Sequence, residues 1–299
     1  MTAANGPGSG HRSGYVAIAG APNAGKSTLL NALVQARLAA VTPKPQTSRR
    51  RTLGIMSGAS YQMILLDTPG VLRPRNPMEE AMEKVIHQAL ADADVILYLV
   101  DGAQPRFVPE VEEAAARKPT IAVLNKVDRL RSRELLLPVI DELRRRAPIA
   151  EFVPISALQR TNLELLINTL VSHLPEGPVF YPPDQLTEQP ERFFVAELIR
   201  EQIFLQFRRE VPYGAEVLIE EFRERPGRKD LIQAAVIVES DSQKAILIGK
   251  GGREIKRLGS EARRTIEEFL GREVFLDLRV KTVSKWRKKP EMLRRLGYS

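Results

Sequence analysis

The 299-residue chain has no cysteine, which excludes a disulfide framework, a thiolate metal site and a cysteine nucleophile. Its three histidines, His11, His87 and His173, are far apart in sequence, which argues against a histidine zinc site. Long apolar runs are also missing. The longest, residues 95–100, is too short to span a bilayer, and the N-terminus carries no apolar leader. The sequence reads as soluble and cytosolic, and about 300 residues suggest two domains. Hydrophobic and charged contents of 43% and 27% exclude wholesale disorder. The net charge of +8 is confined to one end. Residues 1–240 hold 29 basic and 29 acidic side chains, whereas residues 241–299 hold 16 and 8. A basic excess at one end predicts a polyanionic partner there: nucleic acid, ribosome or anionic membrane. The plainer alternative is a solvated basic tail.

Residues 1–13 are rich in Gly and Ser and read as a flexible tail. Residues 14–174 alternate apolar strands with amphipathic helices. Strands are expected at 15–19, 51–55, 61–66, 95–100, 121–124 and 151–154, and helices at 27–36, 78–91, 109–117, 133–146 and 163–173. That rhythm predicts a doubly wound α/β sheet, parallel apart from a hairpin around Ser57-Gly58-Ala59. Residues 175–190 are rich in proline and read as a stiff linker. In residues 191–299 the pattern becomes α-β-β-α-α-β, a small α+β domain. It comprises one long helix at 192–210, strands at 215–224 and 231–240, helices at 242–248 and 253–270, and a strand at 274–282.

Gly20-Ala21-Pro22-Asn23-Ala24-Gly25-Lys26-Ser27 fits G-x-x-x-x-G-K-[ST] between a strand and a helix. Glycines let backbone N–H groups turn toward phosphates, and the helix N-terminus adds positive potential. Lys26 then bridges the outer phosphates, and the Ser27 hydroxyl, followed by Thr28, is placed to ligate Mg²⁺. Asp67-Thr68-Pro69-Gly70 ends the next-but-one strand; Asp67 suits a water-mediated metal contact and the Gly70 N–H suits a γ-phosphate. Asn125-Lys126-Val127-Asp128 identifies the base. The Asp128 carboxylate accepts from N1–H and the 2-amino group of guanine, and with adenine it would be left desolvated and unpaired. Ser156, Ala157 and Leu158 follow a further strand and offer a backbone N–H to guanine O6. Each motif ends a predicted strand, the edge at which open α/β sheets bind ligands. An ATP-dependent kinase or helicase is disfavoured by the Asn125–Asp128 set.

These motifs resemble the G1, G3, G4 and G5 elements of the translation-factor-related GTPases. Pro43-Lys44-Pro45-Gln46-Thr47-Ser48-Arg49-Arg50 is similar to switch I of the Era family, with Ser48 where that family usually has Thr. The resemblance implies that a hydroxyl here reaches Mg²⁺ and the γ-phosphate, and either Thr47 or Ser48 could be the ligand. Val71 stands where many GTPases place a water-orienting Gln. In related GTPases an Asn at the position of Asn23 helps hold K⁺ beside the phosphates, doing the work of an arginine finger. Lys26, Asn23 and Gly70 are thus the candidate catalytic residues, with equal hydrolysis in Na⁺ and K⁺ the result that would exclude the K⁺ role.

Ile248-Gly249-Lys250-Gly251-Gly252-Arg253, followed by Glu254-Ile255, matches the I-G-x-x-G-x-x-I signature of KH domains, and the element order resembles their type II arrangement. Such a turn aims helix N-termini at a nucleic-acid backbone, and an adjoining apolar groove holds about four nucleotides. Residues 281–289 add five positive charges around Trp286. Lys281, Lys285, Arg287 and Lys288 suit phosphate contact and Trp286 base stacking. Attraction to anionic lipid, or a packing Trp on a strand end, are the alternatives. The whole order, GTPase, Pro-rich linker and KH domain with an L-x-x-L-G-Y-like end at 293–298, resembles the Era family. The resemblance implies a monomeric cytoplasmic GTPase that binds Mg²⁺-GTP and GDP. It also implies association with the small (30S) ribosomal subunit near the 3′ end of 16S rRNA, a role in that subunit's maturation, and peripheral contact with the inner membrane. The competing expectation is an RNA-binding assembly factor in which GTP is mainly structural.

Overall fold

The computed structural model describes residues 10–44, 47–70 and 74–298. Val71, Pro45, Gln46 and most of the expected tail lie outside the described residues. Two compact units emerge. One holds residues 10–39, 48–70 and 82–188; the other holds the described parts of 40–47, 74–81 and 189–298.

The first unit is built on a six-stranded sheet in the order β2-β3-β1-β4-β5-β6. Its strands are β1 (Arg12–Gly20), β2 (Thr52–Ser57), β3 (Tyr61–Asp67), β4 (Val95–Asp101), β5 (Thr120–Asn125) and β6 (Glu151–Pro154). β2 and β3 form the expected antiparallel hairpin, and every other neighbour pair is parallel. β1, β4 and β5 are near-continuous apolar runs because helices cover both of their faces. The helices are α1 (Lys26–Val34), α2 (Pro77–Asp92, whose residues from Met82 on belong to this unit), α3 (Pro109–Ala115), α4 (Leu137–Arg146) and α5 (Leu163–His173).

Some boundaries differ from expectation. β1 starts at Arg12, so the last two residues of the expected tail pair with Tyr61 and Gln62. The helix expected at 133–146 opens as a 3₁₀ turn, Arg133–Leu136, and becomes α-helical from Leu137, with Pro138 in its first turn where no intrahelical N–H is needed. The proline-rich segment lies along the β2–β3 hairpin. Fully buried Gln62 accepts from the N–H groups of Phe180 (2.7 Å) and Tyr181 (2.9 Å) and donates to Tyr181 O (2.8 Å). Ile55 N–H donates to Leu186 O at 2.8 Å, and Thr187 Oγ1 donates to Leu53 O at 2.7 Å. The free edge of β2 is thereby covered.

The second unit has a three-stranded sheet, β7 (Glu216–Arg223), β8 (Asp230–Val238) and β9 (Val274–Thr282), with β7 antiparallel and β9 parallel to β8. α6 (Glu191–Gln206) precedes it, α8 (Asp241–Ile248) and α9 (Arg253–Leu270) follow β8, and α10 (Pro290–Arg295) ends the chain. The expected α-β-β-α-α-β order is present, but the long helix at 192–210 is not. It stops at Gln206, Arg209 turns left-handed (φ 55°), and a short helix, α7 (Val211–Gly214), restarts the chain at Pro212. α9 presents Leu258, Ala262, Thr265 and Ile266 as one buried stripe. Leu258, Ala262 and Ile266 pack with α6, Val236, Val238 and Val274 in the core.

The L-x-x-L-G-Y end is structural. Leu293, Leu296 and Tyr298 are buried, and the Tyr298 hydroxyl donates to Glu216, which also lies 3.8 Å from buried Arg200. Glu197 completes the compensation of that guanidinium, whose burial would otherwise be costly. Among the described residues no helix is long and apolar enough to cross a membrane.

Candidate nucleotide and nucleic-acid sites

All four nucleotide motifs lie at the C-terminal edge of the six-stranded sheet. The loop after β1 enters α1 through Gly25, at φ 104°, where a Cβ would stand 2.3 Å from Asn125 Nδ2. Both the left-handed backbone and the close approach require glycine. Lys26 is buried, and its Nζ donates to Gly20 O and Ala21 O at 3.0 Å. Burial lowers its pKa to about 8, against the opposing pull of Asp67. Asp67 is fully buried and its pKa is raised to about 6 by desolvation, partly offset by Lys26 and a hydrogen bond from Ser27.

Ser27 Oγ donates to Asp67 Oδ2 at 2.8 Å and lies 2.7 Å from Ser48 Oγ. Asp67 Oδ1 is buried with no partner among the described residues. Two hydroxyls and a carboxylate with an unused oxygen form the hard oxygen set that Mg²⁺ takes. Thr47 sits elsewhere: its Oγ1 donates to Lys44 O at 2.9 Å and lies 2.5 Å from Thr42 Oγ1. Thr28 is half-buried on α1. Thr68 is wholly buried, its hydroxyl donating to Ile18 O at 2.9 Å. It ties the Asp67–Gly70 turn to β1, with Pro69 buried beside it and Gly70 half-exposed against Pro22.

On the base side, Ser156 Oγ donates to Asp128 Oδ1 at 2.6 Å and so orients the carboxylate expected to meet guanine. Asn125 donates from Nδ2 to Ala24 O (2.8 Å) and accepts the Ala157 N–H at Oδ1 (3.0 Å). The Ala157 N–H, expected to serve guanine O6, thus braces Asn125 here. Leu158 is 74% exposed. Lys126 Nζ donates to Asn23 O (2.5 Å) and to Asp101 Oδ2 (2.6 Å). Asp101 went unseen in the sequence, although an acid closing an apolar strand on the same edge was a signal for it. Asn23 is exposed and left-handed at φ 64°.

In the second unit the turn at 249–252 joins α8 to α9. Gly249, Gly251 and Gly252 all have positive φ, and a Cβ on Gly249 would meet Glu254 Cγ at 2.5 Å. Lys250 and Arg253 are exposed at the N-terminus of α9, and Ile248 is half-buried beside them. Lys285 and Lys288 are exposed, Lys281 pairs with Glu220 at 2.6 Å, and Arg287 pairs with Glu239. Trp286 is a correction. It is fully buried, donates from Nε1 to Gly214 O at 2.9 Å and faces Tyr298, so its ring packs the C-terminal segment and cannot stack on a base.

Fold and sites together define a P-loop GTPase with a C-terminal type II KH domain. Residues 15–126 match the family described as 50S ribosome-binding GTPase, and residues 210–287 match the KH domain. The chain is 39% identical over 292 residues to GTPase Era of Heliobacterium modesticaldum, covering 96% of this chain and 97% of that protein. It is 41% identical over 295 residues to the chloroplastic GTPase ERA1 of Zea mays, covering 96% and 71%. A crystal structure of an Aquifex aeolicus Era variant bound to GDP·AlF4⁻ superimposes with a TM-score of 0.91 at 38% identity, over 96% of this chain and 99% of that one. A structure of Era with MgGDPNP and nucleotides 1506–1542 of 16S ribosomal RNA gives a TM-score of 0.91 at 39% identity, over 97% and 99%. The chain belongs to the Era GTPase family: it binds GTP and GDP with Mg²⁺ and hydrolyses GTP.

Proposed function

We propose that this chain is a GTP-driven switch that binds 16S rRNA near its 3′ end and assists maturation of the small ribosomal subunit. The observation that carries the switch is Ser48 meeting Ser27, whose hydroxyl in turn donates to Asp67. Residues 40–47, immediately before Ser48, group with the C-terminal unit, where Val41 N–H donates to Glu201 Oε1 at 3.0 Å. Ordering of Ser48 by the metal and γ-phosphate therefore pulls on a segment rooted beside α6. The RNA reading rests on the exposed turn at 249–252 and on the likeness to Era seen with 16S rRNA nucleotides. Domain limits of 14–174, 175–190 and 191–299 belong to the same reading.

Water attacks the γ-phosphorus, the bond to the β–γ bridging oxygen breaks, and GDP carries that oxygen away. Mg²⁺ supplies charge neutralisation between the outer phosphates. Ser27 and Ser48 hold it directly and Asp67 through water. Lys26 and the loop N–H groups oppose the charge that develops. In this reading Asn23 helps hold K⁺ at the same loop. The chain acts as a cytoplasmic monomer touching the inner membrane only peripherally. Exposed Lys285, Lys288 and Lys289 suit lipid phosphates as well as RNA, but the 249–252 turn favours RNA. Crosslinking the chain to total RNA and sequencing the bound segment tests the proposal. Enrichment of the 16S 3′ end is expected, and an unrelated or random set of RNAs would contradict it.

A further inference from the structure

Asp101 lies outside every motif of the nucleotide site, yet it is tied to two of them. It closes β4 and stands in register with Asn125 of β5. Its Oδ1 accepts the N–H groups of Ala103 (3.0 Å) and Gln104 (3.2 Å), which fix the carboxylate's orientation. Its Oδ2 accepts from Lys126 Nζ at 2.6 Å, and that ammonium also donates to Asn23 O at 2.5 Å. The Lys126 and Asp101 side chains are 19% and 14% exposed, so the pair is largely shielded from water. Lys126 is itself held left-handed at φ 66°, a conformation costly for a side chain of its size.

The geometry points to a role. A trans peptide is planar, with its carbonyl and the next N–H pointing opposite ways. Holding the Asn23 carbonyl against Lys126 therefore sets the facing of the 23–24 peptide. Asn125 Nδ2 does the same for the next peptide through Ala24 O at 2.8 Å. A phosphate-binding loop works by the facing of its N–H groups. Lys126 has three donors on a flexible stem and would swing into solvent without an anchor. We propose that Asp101 is a positioning residue for guanine-nucleotide binding, which it serves by anchoring Lys126 on the Asn23 carbonyl. The proposal rests on the GTPase reading and adds to it a determinant of affinity.

Asp101→Asn keeps the shape and the turn but removes the charge. Its dissociation constant for GDP, and its KM for GTP, should rise about tenfold, the usual scale for losing one charge-assisted contact, with kcat within about threefold of the parent. Asp101→Glu should recover part of the loss. The deciding comparison is the same substitution made on Lys126→Met, with GDP titrated to millimolar levels. There Asp101→Asn should change the constant less than about twofold, because the anchored group is gone. A tenfold loss in both backgrounds, or no loss in the parent background, would overturn the proposal. Nucleotide binding by the parent protein tests the GTPase reading separately, and thermal midpoints without nucleotide identify any variant that fails to fold.

Discussion

Ser48 and Thr47 are neighbours in the chain, but their hydroxyls have different surroundings. Ser48 Oγ lies 2.7 Å from Ser27 Oγ, whereas Thr47 Oγ1 is taken up by Lys44 O and Thr42. Ser48→Ala should therefore cut GTP hydrolysis by roughly 10–100-fold, while Thr47→Ala should cost about 1 kcal/mol of stability and little turnover. Steady-state rates and urea unfolding of the two variants check this. Asp67 adds a pH dependence. Its pKa is raised to about 6, so protons compete with the metal below that pH and no longer do above it. The Mg²⁺ needed for half-maximal GDP binding, corrected for the metal's affinity for free nucleotide, should be roughly tenfold higher at pH 5 than at pH 7.5. An unchanged requirement would show that Asp67 is ionised throughout. Neither distinction could be read from the sequence, because adjacent hydroxyls look alike until the fold gives them different neighbours. That Lys26, Asp67 and Asp128 would gather at strand ends on one sheet edge was legible, since each motif follows an apolar run; that they serve phosphate, metal and guanine belongs to the proposal.

Among the elements, the proline-rich segment shows how a sequence can state stiffness and leave docking unstated. Five prolines within 175–190 argue for an extended chain, but nothing in them marks Gln62 as their docking partner, and a glutamine in a strand reads as a surface residue. Its side chain is wholly buried and makes three hydrogen bonds to residues 180 and 181. Gln62→Ala should strand buried backbone groups and destabilise the chain by about 2–4 kcal/mol, with urea denaturation as the measurement. The strand order of both units and the helices of the first followed from hydrophobic period, whereas the short helices α7 and α10 were not foreseen. The errors were boundaries and facing. α6 ends at Gln206 because Arg209 and Pro212 redirect the backbone. Trp286 lies among basic residues in sequence but inside the unit in space, held by Gly214 O.

For the whole molecule, the basic excess at 241–299 is divided by the fold. Lys281 and Arg287 are paired with carboxylates, and Lys250, Arg253, Lys285 and Lys288 remain at the surface. On the proposed reading the electrostatic footprint for RNA is narrower than the composition implied, and it centres on the turn at 249–252. A switch requires that GTP favour the RNA-binding state by differential affinity, since a ligand that binds both states equally shifts nothing. The direct measurement is the affinity of the full chain for a 16S rRNA 3′-end oligonucleotide with a non-hydrolysable GTP analogue, with GDP and without nucleotide, at fixed salt. The account predicts binding at least about tenfold tighter with the analogue than with GDP. Equal affinities in all three states would contradict it and leave GTP as a structural ligand of an RNA-binding assembly factor.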